Sequence, residues 1–195
     1  MGQNNVRQNT TRFEQLITAV KRHDYDKFKA LIDAHPNLIS ICGIQGCNIV
    51  FYILEERFYH DREYVGRYML GAVKDKITKS NRSLEKRTHV MKEIFENADK
   101  SGSSPVFLAV RNVYVLNFFV HYCCPSGVNI LETKDSNDIP LAHYTALYYD
   151  NIKALYYIIQ NAPSGTELLH IKYQGYSLMD CAKIYAKKTS EPRAI

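Results

Sequence analysis

Glu55, Glu56, His60 and Asp61 lie close together in the sequence, and side chains of these types can ligate a metal or act as acid and base. Adjacent residues on a helix point to different sides, so Glu55 and Glu56 do not converge and the group reads as a solvated charged edge. His121, Cys123, Cys124 and His143 offer a second set, either a Cys/His nucleophile pair or a zinc site. Neighbouring cysteines do not readily turn to one ion, and Pro125 ends the helix there, so packing near a helix end is the plainer reading. No glycine-rich phosphate loop, Gly-x-Ser-x-Gly elbow or His-Glu-x-x-His pair occurs. The expectation is a protein that is not an enzyme, with no catalytic residue, no metal and no cofactor.

The elements that would carry such residues follow from size and pattern. A chain of 195 residues with 46% hydrophobic and 23% charged residues suits one folded domain with a sizeable core. The polar start, residues 1–11, is expected to be flexible, and residues 189–195 to form a tail. No apolar run is long enough to span a bilayer, and five cysteines, an odd number without a paired framework, fit reduced thiols. A cytoplasmic location, in the cell of origin or in a host cytosol, is the expectation.

The dominant pattern is an apolar triad at i, i+3 and i+4, which places three side chains on one helical face. One series reads Leu16/Ala19/Val20, Val50/Ile53/Leu54, Val106/Ala109/Val110, Leu141/Tyr144/Thr145 and Met179/Ala182/Lys183, starting 34, 56, 35 and 38 residues apart. A second reads Phe28/Leu31/Ile32, Val65/Tyr68/Met69, Leu116/Phe119/Val120 and Leu155/Ile158/Ile159, each shortly after its partner. The unit is a helix pair of about 33 to 38 residues, of the kind that stacks into a continuous core. The long interval holds a further helical stretch, Leu84 to Ala98, with its own triad Met91/Ile94/Phe95 and a plausible cap in Ser80-Asn-Arg-Ser83.

These units resemble ankyrin repeats. Gly102-Ser-Ser-Pro-Val-Phe-Leu-Ala109 is similar to the family's G-x-T-P-L-H-x-A opening, with Pro105 in the first helical turn, where its missing N–H costs nothing. Asn137-Asp-Ile-Pro-Leu-Ala-His143 and Gly175-Tyr-Ser-Leu-Met-Asp-Cys-Ala182 follow the same plan. Ala19 to Ile32 matches the spacing of the family's A-A-x-x-G-H-x-E-I-V-x-x-L-L stretch. Gly46-Cys-Asn-Ile-Val-Phe51 lacks both the Thr and the Pro, so the repeats are degenerate. The resemblance implies an all-α fold, an ankyrin-repeat-like α-solenoid of stacked helix pairs over residues 12–188, with an inserted segment at about 71–98. Four pairs and a closing helix at Leu178 to Lys187 are expected.

The family binds partner proteins with its turn tips and the exposed, concave face of its first helices, and the fold itself brings no reaction. Carried over repeat by repeat, this implies a partner-binding surface of Lys21, Arg22, Glu55, Glu56, Arg111, Asn112, Tyr148 and Tyr149, with turn tips at Gln45, Lys100, Ser101, Ser136, Asn137 and Gln174. Degenerate ankyrin chains of this kind resemble those that intracellular bacterial pathogens and large DNA viruses use as effectors on host proteins. Fifteen tyrosines without a tryptophan add to that expectation, because Tyr144, Tyr148, Tyr149, Tyr156 and Tyr157 cannot all face one core. Surplus rings at a surface suit an interface as well as a filled loop.

Charge is the remaining signal. Ten Lys/Arg against four Asp/Glu between Arg57 and Lys92 concentrate a net +6 in one segment of a chain whose total is +5. Lys86, Arg87 and Lys92 on the inserted helix are therefore expected as a specificity element for an acidic partner. One alternative is a basic adaptor for nucleic acid or an anionic membrane surface, although the run lacks regular aromatic stacking residues; the other is an uncharacterised enzyme, for which no constellation names a reaction. No small-molecule substrate is implied.

Overall fold

The computed structural model describes residues 2–43, 45–56, 63–81, 83–148 and 151–190, and every regular element among them is helical. The elements are α1 (Gly2–Lys21), α2 (Tyr25–Ala34), α3 (Ile49–Glu55), α4 (Glu63–Ser80), α5 (Leu84–Phe95), α6 (Val106–Ala109), α7 (Val113–Phe118), α8 (Leu141–Tyr148), α9 (Ile152–Asn161) and α10 (Leu178–Ser190). Short 3₁₀ turns occupy Pro36–Ser40, Gly127–Glu132 and Gly165–Leu169, and a π turn, Phe119–Cys123, continues α7.

Local chemistry explains where the helices begin. Asp24, Asn112 and Asn151 cap α2, α7 and α9, each with a side-chain oxygen accepting from backbone N–H groups of the first turn. Asn48 and Ser83 do the same for α3 and α5. Between α1 and α2 the chain reverses at His23, held in the left-handed region at φ 56°.

The helices pair as α1 with α2, α3 with α4, α6 with α7 and α8 with α9, and α10 closes against α8. First members also touch in series, α1 to α3, α3 to α6, α6 to α8 and α8 to α10, forming a first row. Second members do likewise, α2 to α4, α4 to α7 and α7 to α9, forming a second row. A single apolar cluster joins the elements, with Phe28, Phe95, Phe107 and Phe119 fully buried. Burying each such ring contributes roughly 1.5–3 kcal/mol relative to exposure.

In the long interval α4 runs through residue 71, where the inserted segment was expected to begin, on to Ser80, and α5 packs back against it. Near the end of α5 the buried Ile94-Phe95 pair and Glu96 match Ile130-Leu131-Glu132 of a 3₁₀ turn. Glu96 accepts from Ser126 N–H and Oγ at 2.7 Å, much as Glu132 accepts from Ser164 N–H at 2.5 Å. The extra helix thus returns the chain to the register of its neighbours.

Three further expectations are corrected. The expected boundaries move, since residues 2–11 form the first half of α1 and residues 189 and 190 extend α10, while 191–195 lie outside the described residues. Met179 is 64% exposed; α10 buries Leu178 and Cys181 instead, one position out of phase with the expected triad. Tyr68 is 58% exposed and Leu31 half-buried, so these two members of the second series face outward or sit at the core's edge.

Candidate functional site

Each of α3, α6, α8 and α10 is preceded by a tight turn closed by backbone hydrogen bonds. Gly43 N–H donates to the Cys47 carbonyl (2.9 Å), Asp99 to Ser103 (3.1 Å), Asp135 to Ile139 (3.1 Å) and Tyr173 to Tyr176 (2.9 Å). The reversal needs left-handed backbone, supplied by Gly46 (φ 78°), Gly102 (φ 80°), Asp138 (φ 60°) and Gln174 with Gly175 (φ 49° and 84°). Two carboxylates brace the middle turns. Asp99 Oδ1 accepts from Ser101 N–H (2.8 Å) and Ser103 N–H (3.1 Å), and Asp135 Oδ1 from Asn137 N–H (2.8 Å) and Ile139 N–H (2.9 Å). Burial pushes the Asp99 carboxyl up, but the hydrogen bonds from Ser101 and Ser103 outweigh it and hold the group below its ordinary value. Sequence reasoning missed both aspartates, although Asp opening a turn two residues before a Ser or Asn is a recognisable Asx-turn signal.

The tips meet edge to edge. Lys100 N–H donates to the Gln45 carbonyl at 3.0 Å, and the Tyr173 hydroxyl to the Asn137 carbonyl at 3.3 Å. Gly102 lies so close to Ser136 that an added Cβ would overlap the serine's own Cβ. Gln45, Lys100, Ser101, Ser136, Asn137 and Gln174, all exposed, are thereby brought into one polar ridge.

The residues expected at the far ends of the first-row helices come together as a second line, with part of their capacity already used. Lys21, the last residue of α1, and Arg22 just after it are exposed. Glu56 lies 3.5 Å from His23 Nε2, and Arg111 Nη1 donates to the Glu55 carbonyl at 3.2 Å, linking one pair to the next. Asn112 is committed as the cap of α7. Tyr148 is 53% exposed with its ring 4.8 Å from Tyr144, and Tyr149 lies outside the described residues. One helical turn before Glu55, Arg111 and Tyr148 stand the half-buried Tyr52, Leu108 and Tyr144, an apolar strip between ridge and helix ends. Of the other crowded tyrosines, Tyr156 is exposed and Tyr157 buried.

The residues read first as possible chemistry do not assemble. His60 and Asp61 lie outside the described residues. His121 is exposed on the π turn with its ring beside Tyr157, whereas His143 is buried in α8, its Nε2 3.1 Å from the Ile171 carbonyl. Cys123 and Cys124 are buried, and burial pushes the Cys123 thiol up to about 12. Among the described residues no three His, Cys, Asp or Glu side chains gather as a metal site. No described helix is long and apolar enough to cross a membrane.

The basic run divides. Lys86, Arg87 and Lys92 lie on α5, the first and last exposed, and α5 packs on α4 of the second row rather than on the tip ridge. Arg67, Lys76 and Lys79 lie on α4, where they line a groove of about 450 Å³ bounded by α2 on one side and Phe118 and Tyr122 on the other. Arg57, Arg62 and Arg82 fall outside the described residues. No protein-family model matches the chain, and no curated protein matches it significantly.

Proposed function

We propose that the chain is a degenerate ankyrin-repeat-like solenoid that acts as a non-catalytic binding module for another protein. The observation that carries this is the ridge of turn tips, joined through Gln45–Lys100, Gly102–Ser136 and Asn137–Tyr173 contacts, which offers polar groups in a fixed line beside the strip of Tyr52, Leu108 and Tyr144. A partner surface laid along that line meets donors and acceptors on the ridge and apolar area on the strip, the division of labour found in protein interfaces. Tyr148 supplies a large ring at the edge, and Lys21, Arg22, Glu55 and Arg111 supply rim charges that steer encounter. Such a module works in a cytosol, and the family resemblance favours an effector acting on a host protein.

Affinity purification from native cytosol tests this, using the wild type beside a Lys100→Glu/Asn137→Arg/Tyr148→Ala variant. These three side chains are exposed, so folding should be unaffected. A protein retained by the wild type and lost by the variant is the expected result. Equal retention would remove the ridge from the binding site, and retention of nucleic acid alone, abolished by salt, would favour the basic-adaptor reading.

A further inference from the structure

The second row carries a groove for which the tip ridge has no use. Its floor is one face of α4, running from Tyr64 to Lys79 in alternating steps of three residues and one, so it is a continuous helical stripe about 20 Å long. Tyr25 and Tyr68, with rings 5.8 Å apart, form one wall, and Phe118 and Tyr122, at 4.8 Å, the other. Tyr64, Tyr68 and Tyr122 are exposed aromatic side chains, and all three line this groove. Exposed rings converging on one concavity mark an interaction site.

Two observations indicate what the groove has room and charge for. Gly71 sits in the middle of α4, where glycine weakens a helix relative to alanine. A Cβ there would meet Phe118 and Tyr122 only at 3.8 and 3.9 Å, ordinary contact distances, so the chain's own packing does not require the glycine. Its absent side chain leaves space for something approaching from outside. The charges in the groove are unequally committed. Asp33 is matched by Lys29 and by Lys76 at 3.1 Å, and Asp75 accepts from the Tyr122 hydroxyl at 3.2 Å. Arg67 has a buried Nε with no hydrogen-bond partner, and Lys79 has no ion-pair partner among the described residues. These two cations stand at opposite ends of the floor, about 18 Å apart along α4.

We propose that this groove is a second docking site, independent of the tip ridge, and that it takes an amphipathic helix of a partner protein bearing two acidic residues about twelve positions apart. A helix satisfies its own backbone, so it can lie in a groove that offers few backbone partners. Its acidic residues pair with Arg67 and Lys79, and its apolar stripe packs between the tyrosine walls over Gly71. Of the four cations lining the groove, Lys29 and Lys76 are held by Asp33, which leaves two separated positions for acidic groups rather than the continuous cationic row that nucleic acid or a phospholipid surface engages.

Selection from a displayed library of random helix-forming peptides of about sixteen residues tests the proposal, with single-stranded DNA and phosphatidylserine vesicles as competing probes. Enriched peptides are expected to carry acidic residues at both ends of an apolar stripe. Their binding should fall at least tenfold with Arg67→Glu/Lys79→Glu and with Gly71→Leu, and stay unchanged with Asn137→Arg on the ridge. Gly71→Ala, which fits the folded chain, should weaken binding while leaving the melting temperature equal or higher. Failure to enrich acidic helices, binding that survives the groove variants, or displacement of the peptide by DNA or vesicles through the same residues would overturn it.

Discussion

Asn151→Ala is the most informative single substitution, because that side chain both starts a helix and ties neighbouring pairs together. Its Oδ1 accepts from Ala154 N–H at 3.1 Å, capping α9, while its Nδ2 donates to the carbonyls of Val110 and Arg111 at 2.8 and 3.0 Å. Loss of an N-cap costs about 1 kcal/mol. Each tether to a carbonyl contributes about 0.5–1.5 kcal/mol net, towards the lower end for Arg111, whose carbonyl water can reach. The expected destabilisation is therefore about 2–3 kcal/mol. Asp24→Ala is the comparison, since Asp24 caps α2 through the single bond from Lys27 N–H at 3.0 Å and should cost about 1 kcal/mol. Urea unfolding followed by far-ultraviolet circular dichroism measures both, with the slope unchanged if only stability shifts. Equal losses at the two positions would refute the claim that the pairs are held to one another through these carbonyls.

Phe119→Ala removes a fully buried ring and should cost about 3–5 kcal/mol, whereas Met179→Ala, at an exposed position, should stay within about 0.5 kcal/mol; unfolding curves of the two decide whether α10 faces as described. Gly102→Ala should destabilise by about 1–2 kcal/mol or more, because it combines a left-handed backbone with overlap on Ser136, and thermal melts beside Gly71→Ala, which should stabilise by up to about 1 kcal/mol, separate strained from unstrained glycines. His143 has its pKa lowered by burial, so the unfolded chain binds its proton first. Stability is then full above the ordinary value of 6.5 and falls as pH drops from there to the lowered native value, a slope that His143→Gln should flatten in unfolding curves measured across pH.

Much of the helical pattern was legible because burial on one face forces apolar residues into i, i+3, i+4 spacing, and Leu16/Ala19/Val20, Val50/Ile53/Leu54 and Val106/Ala109/Val110 are all buried. Where the pattern was ambiguous it misled. In α10, Leu178 and Met179 are adjacent apolar residues, and only the packing against α8 decides that Leu178 turns inward. In α4, Tyr68 fits an apolar triad as well as a surface, since its ring is large and its hydroxyl polar. The second half of α4 carried no assigned triad because Lys74, Lys76 and Lys79 interleave with Val73 and Ile77, which bury one face of it. The tip residues could be placed from the turns, but their contact from tip to tip is long-range and leaves no local signature. The groove was invisible for the same reason, as Tyr25, Gly71 and Tyr122 become neighbours only when α2, α4 and the π turn pack together.

The proposed binding role is tested most directly by site-specific photocrosslinking in native cytosol, with a photoreactive residue placed at Asn137 on the ridge or at Lys153 on the outer side of α9. Both positions are exposed, so neither label should disturb the fold. A discrete protein adduct from position 137, absent from position 153, is the predicted result. Adducts from position 153 with none from position 137 would contradict the assignment of the turn tips as the partner-binding surface.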